Sequence, residues 1–477
     1  MRLEFIAILV AYIVVGTAIA LFSRRYGVKS TRDYYIARGM LGGLVAAGTY
    51  AATTYSAFMM IGLVGLAYGT GVGALGFELV YLVATVLLLS TVGKEIWRLS
   101  KQRGWITPSQ MLGELYGSKL VSTLVALVYL FAMLPYLAAQ IQGLRAVFEY
   151  GGFGSFEALT ISALVTYAWI FIAGAWSVAL TDLYQGLLAI AGGFVYLAWI
   201  ALCFTPSLGL SYSTLLEVLG ENGYLGISSF WKPHVFLAYT LPWVFFSVTN
   251  PQVVVRLYMP RDKRAYRDMV LYFSLYGFLY TVIAVTVGLL SAGLALTGKL
   301  PLNLKWDEVT PTLLNHMNPI LGSLIAVSIV AAAVSTANSI VLAVSSGIVM
   351  DLLHTECISL ARLVDAGLVL AATLIAMQSI GFIVEMSVLT SIILLPLAPI
   401  TLLGVYRHRR FGRVSRLACV LSLVLGLLVS VLYSVVYGPR KAFTQPLLEA
   451  PIAAWVLIVS TLVLVAGHLL DIFSKNS

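Results

Sequence analysis

Two adjacent hydroxyl side chains, Ser335 and Thr336, lie among small residues in the middle of a long apolar segment. The segment, about 319–350, is too long and too hydrophobic for a helix of a soluble protein. Ser335 lies one helical turn from the carbonyl of Ala332, and Thr336 lies one residue further round. An unpaired hydroxyl buried in hydrocarbon costs roughly 2–7 kcal/mol. The pair therefore either donates to the preceding turn, as in many membrane helices, or offers three oxygens with Ala332 to a hard cation.

The composition places this chain among polytopic membrane proteins. It has 477 residues, of which 60% are hydrophobic and only 10% charged, and its mean hydropathy is +0.96. Runs of about 20 apolar residues predict an all-α protein with thirteen transmembrane spans in a single domain, 1–477. The spans are roughly 3–22, 42–68, 73–97, 119–149, 155–176, 180–204, 234–257, 266–297, 319–351, 358–376, 379–405, 414–437 and 451–473.

The lysines and arginines predict the orientation of the chain. With the N-terminus outside and the C-terminus in the cytoplasm, 22 of the 29 basic residues fall on the inner side. Most of them lie in four groups, at about 24–38, 94–119, 256–267 and 407–416. This distribution predicts a multi-pass protein of the cell membrane, with anionic lipid headgroups as the partners of its net charge of +9. Nucleic acid is not a predicted partner.

Residue types that catalyse reactions occur without the spacing that catalysis needs. The three cysteines, Cys203, Cys357 and Cys419, are far apart and form no CxxC pair, and the five histidines lack metal-ligand spacing. The sequence contains no recognisable nucleophile triad, P-loop or pair of hydrolase carboxylates. Neither an enzyme nor an obligate protein partner is predicted.

Two of the predicted spans carry residues that interrupt helices. The second is dense in glycine and small polar residues, and the seventh contains Pro242 and then Asn250-Pro251. Irregular backbone survives at membrane depth only where it is buried in protein or lines a cavity. Broken spans at matching positions, five spans apart, are typical of a secondary transporter built from an inverted repeat. The repeats are predicted at about 42–204 and 234–405.

Short motifs, in order along these spans, resemble the sodium:solute symporter family over most of the chain. They are Arg38 to Gly42; Ala51-Ala52-Thr53-Thr54-Tyr55-Ser56 with Gly62; Thr107-Pro108-Ser109 through Tyr116-Gly117-Ser118; Thr181-Asp182-Leu183-Tyr184-Gln185-Gly186; Asn250-Pro251-Gln252 with Arg256; and Ser335-Thr336 with Ser345-Ser346 and Asp351. The resemblance implies a LeuT-like fold of five plus five helices in inverted repeat, with one extra N-terminal and two extra C-terminal helices.

The resemblance also implies a sodium site between two helices. Its ligands here are the backbone carbonyls of Ala52 and Tyr55, the carbonyl of Ala332, and the hydroxyls of Ser335 and Thr336. Neutral oxygens suit a hard cation, and the absence of a titratable ligand favours sodium over a proton. This chain has Thr54 where some members of the family have an acid or amide, so any support from that position is weaker here.

For the solute, the resemblance points to side chains of three repeat helices. They are Phe58 and Met59; Tyr136, Gln140 and Gln142; and Trp243, Phe246 and Ser247. Glu78, an acid well inside a span, is a further candidate, as a gate or as a ligand of the solute, although structural pairing explains it equally well. Each aromatic residue alone is equally explained as core packing.

These residues predict a sodium-coupled symporter that imports a small organic solute by alternating access, with a monocarboxylate or an amino acid preferred. A sugar or a pantothenate-like compound is the alternative solute. A transporter-like solute sensor is the alternative function. Asp182, Arg256 and Asp351, near inner span ends, are predicted to form a gate or anchoring network. Arg145 and Glu149 are predicted to form a surface ion pair.

Overall fold

The computed structural model describes residues 2–378, 383–410 and 415–476, and nearly all of them are helical. Within that part of the chain, ten helices are long and apolar enough to cross a membrane. They are Leu3–Tyr26, Gly73–Arg103, Lys119–Tyr150, Ser155–Ile172, Gly174–Ser207, Lys263–Leu296, Pro319–Leu352, Ile358–Ala376, Arg416–Tyr437 and Ile452–Asp471. The prediction of an all-α polytopic membrane protein is confirmed.

Two further spans consist of helix pairs bent at a short break. Gly43–Thr54 and Phe58–Thr70 meet at 50°, and Val384–Leu394 and Leu397–Tyr406 meet at 47°. The described residues therefore show ten spans, or twelve when each bent pair is one span.

The span predicted at 234–257 is divided into pieces too short to cross a membrane singly. The pieces are Pro233–Val244, Phe246–Thr249 and Pro251–Leu257. The predicted count of thirteen is for this reason not confirmed. The predicted starts of two later spans, at 379 and 414, lie outside the described residues. The repeat boundaries at 42–204 and 234–405 stay predictions.

Shorter elements occupy the connections. Tyr212–Glu221 and Val309–Asn315 are helices in the two longest polar connections, at about 205–233 and 298–318. The other short elements are the helices Thr31–Ile36 and Pro108–Tyr116, and the antiparallel strands β1 (Pro446–Leu447) and β2 (Ala450–Pro451).

The first broken helix comprises Gly43–Thr54 and Phe58–Thr70. Its break is at Tyr55, whose φ of −99° and ψ of 92° are extended rather than helical. Ser56 starts the next segment, because its hydroxyl accepts a hydrogen bond from the Phe58 amide at 3.1 Å and its carbonyl accepts one from the Met59 amide at 3.1 Å. The interruption predicted for the second span is confirmed.

The second broken helix comprises Pro233–Val244, Phe246–Thr249 and Pro251–Leu257. It departs from helical geometry at Phe245 and again at Asn250, whose φ of −83° and ψ of 122° are extended. Pro251 cannot donate a backbone hydrogen bond, so it begins a new helix rather than continuing the old one. The interruption predicted for the seventh span is confirmed.

Pro319–Gly347, hereafter the serine-threonine helix, lies at the centre of the molecule. Every residue from 325 to 347 is buried. The helix packs against both broken helices and also against the spans Lys119–Tyr150 and Gly174–Ser207. Its alanines, serines and glycine allow neighbouring backbones to approach closely, as small residues do between membrane helices. This packing positions Ser335 and Thr336 against the break of the first broken helix.

One end of the bundle brings together the connections that carry the first three basic groups, and it is named here the basic end. The Leu41 amide donates to the Met259 carbonyl and the Arg261 amide to the Leu41 carbonyl, both at 2.9 Å. Lys101 bridges the same two segments, with its ammonium 2.6 Å from the Gly39 carbonyl and 3.1 Å from that of Tyr258. The chain entering the first broken helix is thus fastened to the chain leaving the second.

The short helix Thr31–Ile36, at the basic end, packs against the joint between the spans Ser155–Ile172 and Gly174–Ser207. Gly174 begins the second of those spans, has a left-handed φ of +54°, and would place a Cβ 2.5 Å from the Tyr34 carbonyl oxygen. The Tyr34 hydroxyl donates to Asp365 at 2.5 Å. Burial alone would raise the pKa of Asp33 in the same helix, but hydrogen bonds from Arg38 and the Lys29 amide hold that pKa below its usual value.

We predict that Gly174→Ala lowers the thermal unfolding midpoint of the purified protein. The left-handed conformation costs an L-residue about 1–2 kcal/mol, and the added Cβ meets the Tyr34 backbone besides. Gly367→Ala is the matched control, because this helical glycine faces open space and has no left-handed φ. A Gly174→Ala protein as stable as the control variant would contradict this account of the joint.

Candidate functional site

Oxygens from two helices meet at the break of the first broken helix. The Ser335 hydroxyl is 2.9 Å from the Ala52 carbonyl oxygen and 2.9 Å from that of Ala332. The Thr336 hydroxyl is 3.1 Å from the Ala52 oxygen and 3.3 Å from the Ala332 oxygen. The structure therefore brings four of the five predicted cation ligands together. It is compatible with both roles predicted for the hydroxyls, donation to the preceding turn and ligation of a cation. The hydroxyls donate to their own preceding turn and also face a second helix.

The spacing of these oxygens suits a hard cation. Such a cation is bound by oxygen at about 2.4 Å, so neighbouring ligands in an octahedral arrangement lie about 3.4 Å apart. The separations of 2.9–3.4 Å between the two hydroxyls and the carbonyls of Ala52, Thr53 and Ala332 need only a small expansion. Tyr55, the fifth predicted ligand, lies at the break, where its extended backbone frees the carbonyl from the helical pattern.

Neighbouring hydroxyls hold the same two helices together. Thr53 and Ser339 lie 2.7 Å apart, oxygen to oxygen, and are fully buried. Thr54, the position where the resemblance is imperfect, donates instead to the Tyr50 carbonyl at 2.7 Å within its own helix. Its hydroxyl is therefore engaged away from the candidate cation site.

Aromatic rings surround the predicted solute position. Trp243 stacks on Phe246 with centroids 5.3 Å apart and contacts Phe58 at 5.2 Å. Phe77 and Tyr81, which the sequence reasoning missed, contact the same indole ring at 5.9 and 5.1 Å. These two flank Glu78 at four-residue spacing, a signal that would have placed them on one helix face. The rings pack on one another and fill the predicted solute position.

Several polar atoms in this region are buried without a hydrogen-bond partner among the described residues. They are both carboxylate oxygens of Glu78, the amide of Gln140, the indole nitrogen of Trp243 and the hydroxyl of Ser247. Each unsatisfied group costs about 1–3 kcal/mol, and native proteins rarely cluster them. A polar ligand that meets them would recover that free energy.

The remaining predicted solute residues divide in two. Tyr136 is one turn from Gln140 on the same helix face and lies beside Ser56, and Met59 is fully buried in the first broken helix. Gln142 lies elsewhere: its amide donates to the Ala376 carbonyl at 3.1 Å. Two residues along a helix rotate a side chain by about 200°, which is why Gln140 and Gln142 do not share a face.

A buried ion pair joins four helices nearer the basic end. Arg256 lies 3.5 Å from Asp182, and both side chains are almost wholly inaccessible to solvent. Thr49 donates to the same carboxylate oxygen at 2.6 Å, and Arg256 donates to Ser339 at 2.5 Å. Thr49 and Ser339, which sequence reasoning did not assign to this network, complete it. The network links both broken helices to the serine-threonine helix.

Asp351 forms a second anchor at the end of the serine-threonine helix. It accepts hydrogen bonds from Thr107 at 2.6 Å, Ser109 at 2.7 Å and Ser122 at 2.5 Å. The anchoring predicted for Asp351 therefore has partners, two of them in the Thr107-Pro108-Ser109 motif. The predicted Arg145–Glu149 ion pair is also present, at 2.8 Å.

Comparison with known proteins assigns this arrangement to a class of transporters. The sequence profile of the sodium:solute symporter family matches residues 34–413. The sodium/pantothenate symporter of Escherichia coli (strain K12) is 32% identical over 200 residues, which is 41% of each chain. The corresponding symporter of Haemophilus influenzae is 27% identical over 373 residues, covering 74% of this chain and 72% of that protein.

A solved structure has the same fold. The substrate-bound, outward-open state of a Na⁺-coupled sialic acid symporter superposes with a TM-score of 0.81, covering 98% of this chain and 96% of that one. The two sequences are 16% identical, so the likeness concerns the fold alone. It confirms the LeuT-like fold class expected from the motifs, and both the family and the fold are those of transporters.

We predict that Asp182→Asn and Arg256→Gln each destabilise the protein strongly, whereas the double variant is less destabilised than the sum of the two. Removing one partner of a buried pair leaves an uncompensated charge, at a cost of about 3–5 kcal/mol. Thermal unfolding of the three variants measures this. Lys305→Gln, in an exposed pair 3.3 Å from Glu308, is the control and should cost at most about 1 kcal/mol. Strict additivity of the two buried changes would contradict the pairing.

Proposed function

This chain belongs to the sodium:solute symporter family, and we propose that it couples inward sodium movement to the uptake of a small carboxylate solute. The observation that carries the proposal is the meeting of the Ala52 carbonyl with the hydroxyls of Ser335 and Thr336. A cation bound there contacts the interrupted helix and the central helix together. Its arrival and departure therefore change how the two helices are held.

The proposed ligands explain how binding is coupled to movement. Each of the two hydroxyls has one proton to donate and lies within hydrogen-bonding distance of both the Ala52 and the Ala332 carbonyl oxygens. With a cation, all four oxygens turn their lone pairs to the ion, and the hydroxyl protons turn away. The ligands are neutral, so no buried anion holds the ion too tightly to leave. One charge crossing roughly 100 mV supplies about 2.3 kcal/mol, equivalent to roughly a 40-fold solute gradient.

The unpartnered polar atoms support a solute with two different ends. Gln140, Trp243 and Ser247 offer buried donors, which suit a carboxylate. Glu78 offers acceptors and repels a carboxylate, so it suits a hydroxyl, an amide N–H or an ammonium at the other end. Pantothenate has this character, and relatives of this chain are sodium/pantothenate symporters. The alignment with the Escherichia coli protein covers 41% of the length of that protein. Pantothenate is therefore proposed here as the first solute to test, followed by lactate and proline.

The proposed orientation places the basic end in the cytoplasm. Support comes from the 22 basic residues that a topology with an external N-terminus puts on the inner side. The buried pair Asp182–Arg256 then lies between the cation ligands and the cytoplasm, where it closes the inner route. Alternating access requires this network to part once the cation and the solute have entered from outside.

In proteoliposomes with an imposed inward sodium gradient, we predict solute accumulation that collapses when the gradient is dissipated. Ser335→Ala and Thr336→Ala should each raise the sodium concentration for half-maximal uptake about fivefold, because one neutral ligand contributes about 1 kcal/mol. Ser346→Ala is the matched control: this buried serine makes the same type of bond to its preceding turn, to the Ala343 carbonyl at 2.7 Å.

Three outcomes would contradict this proposal. Saturable solute binding without gradient-driven flux would favour a sensor over a symporter. Unchanged sodium dependence in both alanine variants, with correct membrane insertion, would overturn the cation ligands. An equal effect of Ser346→Ala would show that the loss comes from the helix and not from the site.

We predict that Trp243→Ala weakens solute affinity roughly 10-fold, because the ring contacts of an aromatic side chain contribute on the order of 1.4 kcal/mol. Solute-dependent uptake at several sodium concentrations measures both affinities. Sodium affinity should be nearly unchanged, and Trp243→Phe should recover part of the solute affinity. Equal loss of solute and sodium affinity would indicate misfolding and refute a specific role of the indole ring.

A further inference from the structure

A crevice of about 760 Å³ opens between two spans, Gly73–Arg103 and Lys263–Leu296, at the basic end. Four exposed cations line it; they are Lys94, Lys263, Arg264 and Arg267. Two acids lie beside them: Asp268, 3.9 Å from Arg264 and 3.4 Å from Arg267, and Asp262, which pairs with Arg261 at 3.1 Å. Two carboxylates do not neutralise the four cations, so the mouth of the crevice is positively charged.

Away from the cations, the same crevice becomes apolar. On one span, Ser90 and Val86 follow Lys94 at four-residue intervals, on one helix face. On the other, Val270 and Leu271 lie three and four residues after Arg267 on the same helix face, and Leu271 is 60% exposed. Both helices therefore change from charged to apolar in the same direction, from the basic end towards the middle of the spans. An amphiphile that lies along the helices with its charged headgroup at the basic end has the same order of charged and apolar parts.

The rear wall of the crevice is built by specific contacts. Helix Gly73–Leu88 continues into a π-helical turn, Leu89–Gly93, and the Tyr266 hydroxyl donates to the Leu89 carbonyl at 2.7 Å. A Cβ at Gly93 would lie 2.7 Å from that hydroxyl, so the close approach depends on glycine. Trp97 packs on Tyr266 with centroids 5.5 Å apart and donates to the Pro260 carbonyl at 3.0 Å. π-Helical turns often mark functional positions.

We propose that this crevice binds one anionic glycerophospholipid from the adjacent leaflet. The phosphate lies between Lys94 on one span and the cations of the first turns of the other, Lys263 and Arg267, whereas the helix amides there are capped by the Asp262 carboxylate. An acyl chain lies along Val86 and Leu271. Basic pockets between membrane helices bind anionic headgroups in this way. A soluble phosphate uses only the charged half of the crevice, whereas a phospholipid uses both.

Such a lipid joins two spans that both contact the first broken helix. Phe273, two turns from Arg267, contacts Tyr50 at 4.9 Å and Tyr55 at 5.6 Å. The lipid therefore stabilises the spacing of helices beside the break. This binding is independent of the proposed solute and can be measured without transport.

The full-length protein, purified in uncharged detergent, is titrated with phosphatidylglycerol or phosphatidylcholine, and bound lipids are counted by native mass spectrometry. We expect one tightly held phosphatidylglycerol and no matching phosphatidylcholine. The double variant Lys94→Gln/Lys263→Gln should weaken phosphatidylglycerol binding about 30-fold, the effect of two surface charges. Arg24→Gln/Arg25→Gln removes the same charge from exposed residues outside the crevice and should leave the affinity unchanged.

A second variant tests the apolar half. Leu271→Trp keeps every cation but fills the acyl groove, and this exposed position tolerates the larger side chain. It should weaken phosphatidylglycerol binding several-fold. Equal binding of phosphatidylcholine, equal loss in both double variants, or displacement of the lipid by the same concentration of sn-glycerol 3-phosphate would each overturn the phospholipid site.

Discussion

The contact between the Ala52 carbonyl and the hydroxyls of Ser335 and Thr336 is the constraint on which the rest of the structure depends. A helix interrupted at membrane depth exposes backbone carbonyls that water cannot reach, and protein groups have to satisfy them. The serine-threonine helix does this at 2.9 and 3.1 Å. It can do so because its small residues bring it close to the break, and because packing on all sides keeps residues 325–347 buried. The proposed cation replaces this contact with a stronger one.

The polar networks towards the basic end limit how the same helices move. Thr49 and Arg256 belong to the first and second broken helices, and both contact Asp182. Asp351 anchors the far end of the serine-threonine helix through three hydroxyls. In the proposed function, passage of a solute towards this end requires several of these buried bonds to break together. A transporter benefits from that cooperativity, because it prevents both ends from opening at once.

The sequence predicted the parts of the molecule that local chemistry specifies. Pro251 and the glycine-rich second span indicated the breaks, and the hydroxyl pair indicated one half of the candidate cation site. The motif order then indicated the facing residues Ala52 and Tyr55. The spans were predicted from hydropathy, which does not register a break in a helix. The apolar segment 234–257 is divided at Phe245 and Asn250 into helices too short to span a membrane singly, so the count of thirteen was not confirmed.

Contacts between distant segments were not predictable from a single sequence. Tyr34 and Asp365 are 331 residues apart and form a buried hydrogen bond, and nothing in either local sequence indicates its partner. Phe77 and Tyr81 resembled ordinary packing residues until the second broken helix placed Trp243 against them. Gln142 was assigned to the solute site on the resemblance, although helical geometry turns it away from Gln140. The missing information was tertiary for the Tyr34–Asp365 bond and for the rings around Trp243, whereas the turn of Gln142 away from Gln140 is local helical geometry.

The most direct test of the central claim is the thermal unfolding of the purified protein in sodium chloride and in potassium chloride at equal ionic strength. A cation that binds only the folded state raises its stability by mass action. The account predicts a saturable rise of the unfolding midpoint in sodium that is absent in potassium and lost in Ser335→Ala/Thr336→Ala. Identical midpoints in the two salts, or a sodium effect that survives in the double variant, would contradict it.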